Sequence, residues 1–227
     1  MPQRSRVGLA LIVIVIAGLS GFILFGAFSS DRQGSTLVAD PIQPDVLPDP
    51  YADPTPPPLT RKVPEVLPDF TLANRAGEPT ALSSFAGRPL LINFWATWCA
   101  PCRREIPLLN QLRRERQAQG LEVIGIAVDF RDDVLKYVAK TRVDYPLLIG
   151  EEDGLQAADA FGIGLAFPVS IFADQSGRVL ALKVGELHRD EAEFILDRVR
   201  DVDSAGLAPD AARAAIAAEL QRLAKRR

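Results

Sequence analysis

The stretch Leu90 to Pro107, LLINFWATWCAPCRREIP, constrains the fold more than any other part of the chain. Its first six residues, Leu90 to Trp95, form an apolar run broken only by Asn93. Ala96-Thr97 and a Cys-x-x-Cys pair, Cys99 and Cys102, follow directly. A short apolar run ended by a turn reads as a buried strand. Arg103 to Gln119 is rich in Leu, Arg, Gln and Glu, all good helix formers. The two cysteines therefore sit where a strand hands over to a helix. Three residues apart on a helix, Cα atoms are about 5 Å from one another. That separation suits a disulfide, so the pair can close and reopen without moving the backbone.

The same position sets reactivity. The first helical turn carries unpaired N–H groups and the positive end of the dipole. A thiolate there is stabilised, which lowers a thiol pKa from about 8.5 toward about 7 or below. Cys99 is expected to be the exposed nucleophile and Cys102, one turn in, the resolving thiol. Pro101 suits the first turn, where a missing N–H costs nothing. Two duller uses of the pair compete. A zinc site needs four ligands, and the chain offers no third cysteine and a single histidine, His188. A structural disulfide closing so short a loop restricts the unfolded chain little. Redox exchange fits the strand–Cys-x-x-Cys–helix setting best.

FWATWCAPC resembles the active-site stretch of the thioredoxin superfamily. The longer string WCAPCRREIP is similar to its membrane-tethered, extracytoplasmic branch, the TlpA/ResA/DsbE-like thiol-disulfide oxidoreductases. The similarity runs from about Pro68 to about Val202.

Outside that region the chain changes character. Val7 to Phe28 contains no charged residue. As a helix it spans about 33 Å, the thickness of a bilayer core. It exceeds the apolar region of a cleaved signal peptide, which favours an uncleaved anchor, although Ala27-Phe28-Ser29 keeps cleavage open. Arg4 and Arg6 precede it and assign residues 1–6 to the cytoplasm. The rest then faces the periplasm, an oxidising compartment, from a single-pass inner-membrane anchor. Residues 29–67 read as a linker: ten of the 18 prolines fall between Pro41 and Pro68, and chain of that kind stays extended. A domain over 68–203 and a helical tail over 204–227 complete the chain. A net charge of −3, from 26 basic and 29 acidic residues, gives no electrostatic case for nucleic-acid binding.

Within the domain, strands are expected at Asp69–Leu72, Thr80–Leu82, Leu90–Trp95 and Leu121–Val128. A short extended piece is expected at Pro146–Ile149. Val169–Phe172 and Arg178–Val184 flank Asp174-Gln175-Ser176-Gly177, a hairpin signal. A single helical turn is expected at Ser83–Phe85, and helices at Cys99–Gln119, Asp132–Arg142, Gly154–Phe161 and Asp190–Val202. Pro107 is expected to kink the first of these. Pro209 and Asp210 open a tail helix running to Ala224. This order gives an α/β fold with a mixed central sheet flanked by helices. The resemblance makes it thioredoxin-like, with an N-terminal transmembrane helix added.

Several polar residues lie near the cysteines. Asn93, where ordinary thioredoxins carry an aspartate, reads as a hydrogen-bonded core amide. Glu105 falls one turn beyond Cys102. It is either a solvated helix charge balanced by Arg103 and Arg104 or, as the resemblance to ResA-like proteins implies, a carboxylate that raises thiol pKa and accepts a proton. Pro168 follows Phe167 just before a strand. The resemblance implies a cis bond there, facing the disulfide, with Phe167 offering backbone groups to a client peptide. Trp95 and Trp98 read as packing residues, Trp98 also shielding the disulfide face. His188 reads as a helix-start residue, and Glu186 lies near a strand end.

The resemblance implies a thiol-disulfide exchange enzyme acting on a protein disulfide client. Apocytochrome c thiols lead and copper-site assembly proteins follow. Re-reduction comes from a membrane thiol reductant of the DsbD or CcdA kind. The sulfurs carry the exchange themselves, so neither cofactor nor metal is called for. Two other readings stand beside it: a thiol peroxidase of the peroxiredoxin-related group, and a tethered module that binds Cu(I) through the two thiolates.

Overall fold

The computed structural model describes residues 63–226. The expected anchor over 7–28 and nearly all of the linker lie outside the described residues. No helix among the described residues is long and apolar enough to cross a membrane.

Seven strands form one mixed sheet in the order β2-β1-β5-β4-β3-β6-β7. They are β1 (Thr71–Asn74), β2 (Pro79–Ala81), β3 (Leu90–Trp95), β4 (Glu122–Val128), β5 (Leu147–Gly150), β6 (Val169–Ala173) and β7 (Val179–Val184). The helices are α1 (Ala100–Glu115), α2 (Arg131–Val138), α3 (Glu152–Ala160), α4 (Arg189–Asp203) and α5 (Pro209–Ala224). β3 pairs parallel with β4 and antiparallel with β6, so it lies at the centre. Every residue of β3 and β4 is buried. Leu91 and Trp95 enter one core with Ile106 and Leu109 of α1 and Ile195 of α4. Ile92 and Phe94 enter a second core on the opposite face with Ala157 and Ala158 of α3. A strand covered on both faces reads as a continuous apolar run rather than an alternating one, and that is why LLINFW is legible.

The first strands are displaced from their expected positions. Asn74 is the reason: its Oδ1 accepts hydrogen bonds from the N–H groups of Ala76 (2.8 Å) and Glu78 (3.1 Å). That turn lets β1 continue to Asn74, where it pairs with β5. The helix expected over Asp132–Arg142 ends at Val138. Lys140 and Thr141 both donate back to the Tyr137 carbonyl, closing the turn. Asn110 of α1 then grips the chain beyond it, donating to Arg142 O (2.8 Å) and accepting from Asp144 N (2.7 Å). A tertiary contact thus overrides helix propensity. α1 continues past Pro107 but ends at Glu115, and a 3₁₀ turn over Gln117–Gln119 leads to Gly120 at φ 78°. Glycine tolerates that left-handed turn without steric cost.

β4 contains Gly125, and its place in the pairing explains it. A Cβ there would lie 2.5 Å from Leu147 Cδ2 and 2.8 Å from Tyr145 Cε2. The bare backbone lets both side chains close over the strand.

Both ends of the described chain join the domain. Leu67 N–H donates to Gly177 O (2.8 Å) and Val179 N–H to Glu65 O (2.9 Å), so residues 63–67 run alongside the β6–β7 turn. The tail helix α5 is docked: Ala212, Ile216 and Leu223 are buried, and Arg213 Nε donates to Val179 O (2.9 Å). β7 is an edge strand, and covering an edge blocks pairing with other chains. Ile216→Ala should therefore lower unfolding free energy by about 2–5 kcal/mol, the usual cost of truncating a buried aliphatic side chain. Chemical denaturation of the soluble domain measures it. A change within error would mean that α5 contributes nothing to the fold.

Candidate active site

β3 delivers its last residue, Trp95, to the core, and the chain leaves the sheet through Ala96, Thr97 and Trp98. Cys99 is the N-cap residue of α1, and the Cys102 N–H donates to its Sγ at 3.3 Å. Cys99 and Cys102 are joined as a disulfide with Cα atoms 5.3 Å apart. No acidic residue occupies the first turn of α1, so nothing there offsets the positive end of the helix dipole. Cys102 is fully buried and Cys99 is 5% exposed. In the disulfide form, then, Cys99 is not the exposed residue expected, although it is less completely covered than Cys102.

β6 runs antiparallel to β3, so its start lies at the end of the sheet that carries Cys99. The Phe167–Pro168 bond just before it is cis. Trp98 is 64% exposed, which corrects the expectation that it packs. Its ring stands 6.3 Å from that of Phe167. Trp95, by contrast, is wholly buried beside Tyr137. Phe130 and Leu165 add exposed apolar side chains that sequence reasoning missed. Each stands in a connection between elements, and nothing in the local pattern sets it apart.

Behind the disulfide the structure joins two residues that the sequence presents separately. Glu105 is 1% exposed, so the reading of a solvated helix charge is overturned. Its Oε1 accepts from Asn93 Nδ2 at 2.7 Å, and its Oε2 from the Leu187 N–H at 2.7 Å. Asn93 Nδ2 also donates to Ser170 Oγ at 3.2 Å. The register explains the set. Asn93 lies opposite Ser170 across the β3–β6 pair, on the face that α1 covers. α1 and the segment after β7 then bring Glu105 and Leu187 to the same point. Asn93 is the hydrogen-bonded core amide expected of it, and its partner is the carboxylate. Arg104, expected to balance Glu105, instead donates to Glu186. His188 begins α4, its N–H held by Glu191 Oε2 at 3.0 Å.

Burial pushes the Glu105 carboxyl up from 4.5 to about 7, against the hydrogen bonds from Leu187 and Asn93, which pull it down. A carboxyl of that kind holds or releases a proton near neutral pH. The stability consequence has a definite sign. The folded protein keeps this proton where the unfolded chain has lost it, so proton uptake favours the fold. Stability from this group is full below about pH 4.5 and declines as pH rises toward 7. The displacement amounts to about 3 kcal/mol. Glu105→Gln should remove the decline and gain on the wild type by up to that amount at pH 8. Denaturation of both disulfide-bonded proteins at pH 4.5 and 8 checks it, and parallel pH profiles would refute the raised carboxyl.

Residues 63–182 match the family model described as the AhpC/TSA family. Thiol-disulfide oxidoreductase ResA from Geobacillus thermodenitrificans is 30% identical over 134 residues, covering 59% of this chain and 75% of that one. ResA from Bacillus thuringiensis is 24% identical over 200 residues, covering 88% and 99%. A solved structure assigned as thiol:disulfide interchange protein DsbE, from Chlorobium tepidum, is 28% identical with a TM-score of 0.54, covering 61% of this chain and 94% of that one. Fold, cysteine pair and relatives agree on thiol-disulfide oxidoreductase chemistry. The chain belongs to the AhpC/TSA family, with a thioredoxin-like fold and a ResA/DsbE type of cysteine site.

Proposed function

We propose that this enzyme is a membrane-tethered reductant of protein disulfides, working on the periplasmic side. The observation that carries the reading is the Cys99–Cys102 disulfide at the start of α1, with Cys102 fully buried and Cys99 5% exposed. In the reduced enzyme the Cys99 thiolate attacks one sulfur of a client disulfide. A Cys99–client disulfide forms and the other client sulfur leaves as a thiolate. Cys102 loses its proton to Glu105 and attacks Cys99 Sγ. The internal disulfide closes and the client leaves as a dithiol, having gained two electrons. An external dithiol then returns the enzyme to its reduced form. A membrane carrier of the DsbD or CcdA kind fits that part. Apocytochrome c haem-site thiols are the leading client, and copper-site assembly proteins come next. Phe167, beside the cis Pro168, provides backbone for strand-like pairing with the client, and Trp98 provides an apolar wall.

Membrane attachment rests on the uncharged span Val7–Phe28 and its Arg4/Arg6 flank. The alternative reading is a thiol peroxidase. Reaction of the reduced enzyme with hydrogen peroxide faster than with a peptide disulfide would establish it.

Three measurements test the main reading. The redox potential of the Cys99–Cys102 couple should fall near that of thioredoxin, about −270 mV, and a value near about −120 mV would make the enzyme an oxidant. Cys99→Ser should abolish exchange, whereas Cys102→Ser should accumulate mixed disulfides through Cys99, visible by mass spectrometry. Trapping through Cys102 instead would reverse the two roles. Full-length protein should sediment with membranes, and recovery of the intact chain in the soluble fraction would remove the anchor.

A further inference from the structure

Asp129 follows β4 and is almost fully buried. Its Oδ2 accepts from the Thr97 N–H (2.8 Å) and the Thr97 hydroxyl (2.5 Å), and its Oδ1 from the Phe130 N–H (2.8 Å). One carboxylate thus ties the loop between β3 and α1 to the loop between β4 and α2. Each residue it grips is next to an exposed aromatic side chain or carries one: Trp98 follows Thr97, and Phe130 is gripped directly. β4, β3 and β6 are neighbours in the sheet. At the end of the sheet that carries Cys99, they present Phe130, Trp98 and Phe167 in that order.

We propose that Asp129 is a positioning residue that holds Trp98 and Phe130 as one apolar wall beside Cys99. The enzyme thereby favours disulfides whose cysteines are flanked by large apolar residues. This inference rests on the thiol-disulfide exchange reading above. The occupant of the wall is set by the chemistry: the client sulfur must bond to Cys99, one residue from Trp98, so the residues beside the client cysteine cross this surface. Hydrogen bonds to a charged acceptor are among the stronger ones. The two from Thr97 join the two loops, and the one from the Phe130 N–H fixes the carboxylate on its own loop. Burial of large apolar side chains against the wall then supplies affinity. Leu165, two residues before Phe167, is also exposed.

The test compares two oxidised probes, glutathione disulfide and a short synthetic peptide whose internal disulfide is flanked by Leu and Phe. Reduced wild type should show the lower KM for the peptide. Asp129→Ala should raise the peptide KM about tenfold, equivalent to about 1.4 kcal/mol, while kcat for either probe falls less. Asp129→Asn keeps an acceptor for Thr97 but turns an N–H group toward Phe130, so its KM should lie between. Phe130→Ser should raise the peptide KM similarly, and adding it to Asp129→Ala should change little further, because the two act as a unit. Equal peptide KM in wild type, Asp129→Asn and Phe130→Ser would overturn the proposal, whatever the folding of the alanine variant. A shift in the Cys99–Cys102 potential in Asp129→Asn with no change in KM would also overturn it, since the carboxylate would then act through its charge. Failure of the wild type to exchange with either probe would refute the exchange reading itself.

Discussion

The contact between the Cys102 N–H and Cys99 Sγ, at 3.3 Å, is where helix α1 acts on the reactive sulfur. The first N–H groups of a helix have no intrahelical partner, and a sulfur in the N-cap position receives one of them. The rest of the domain serves to hold that helix start at the end of a strand that cannot shift. β3 is paired on both sides and buried on both faces, so the point where it releases the chain is fixed. α1 is pinned along its length by Ile106, Leu109 and Leu112 against the same sheet. The cysteine pair therefore closes and opens on a rigid frame, as a reversible exchange site requires.

Glu105 shows what the frame costs and gains. A buried carboxyl is unfavourable as an anion, and a hydrophobic residue would pack more easily. Here the carboxyl is held by three separate elements: α1 carries it, β3 supplies Asn93, and the turn after β7 supplies the Leu187 N–H. Those two donors moderate the burial penalty without cancelling it, which leaves the group near neutrality. The same hydrogen bonds join α1 to the β7–α4 connection, so the site and the tertiary structure share a joint. Lys183, at the end of β7, adds a weak favourable charge, and Glu186 an unfavourable one.

The periphery follows from the topology. β2 and β7 are the sheet edges. At β7 the extra helix α5 packs against the edge, and Arg213 satisfies the Val179 carbonyl. At the far end of β6 and β7 the chain from Val63 to Leu67 lies along the turn. Residues 63–67 thus lie at the end of the sheet away from Cys99, Phe130 and Phe167.

The sequence by itself determined the cysteine pair, its place between strand and helix, the two buried central strands, the β6–β7 hairpin and the tail helix. These depend on local spacing and on apolar runs, and local physics suffices for them. The short first strands were displaced by a local turn, in which Asn74 accepts from the Ala76 and Glu78 N–H groups, and the end of α2 by Asn110, which holds backbone more than thirty residues away. At the site, Glu105 three residues after Cys102 was legible, yet its burial was not, since an EIP string reads the same on a wet helix face as on a covered one. Only the tertiary structure decided that Glu105 meets Asn93 and Leu187, that Trp98 faces outward while Trp95 faces inward, and that Asp129 grips Thr97. Each of these pairs residues far apart in the chain, and strand register and helix docking determine which of them meet.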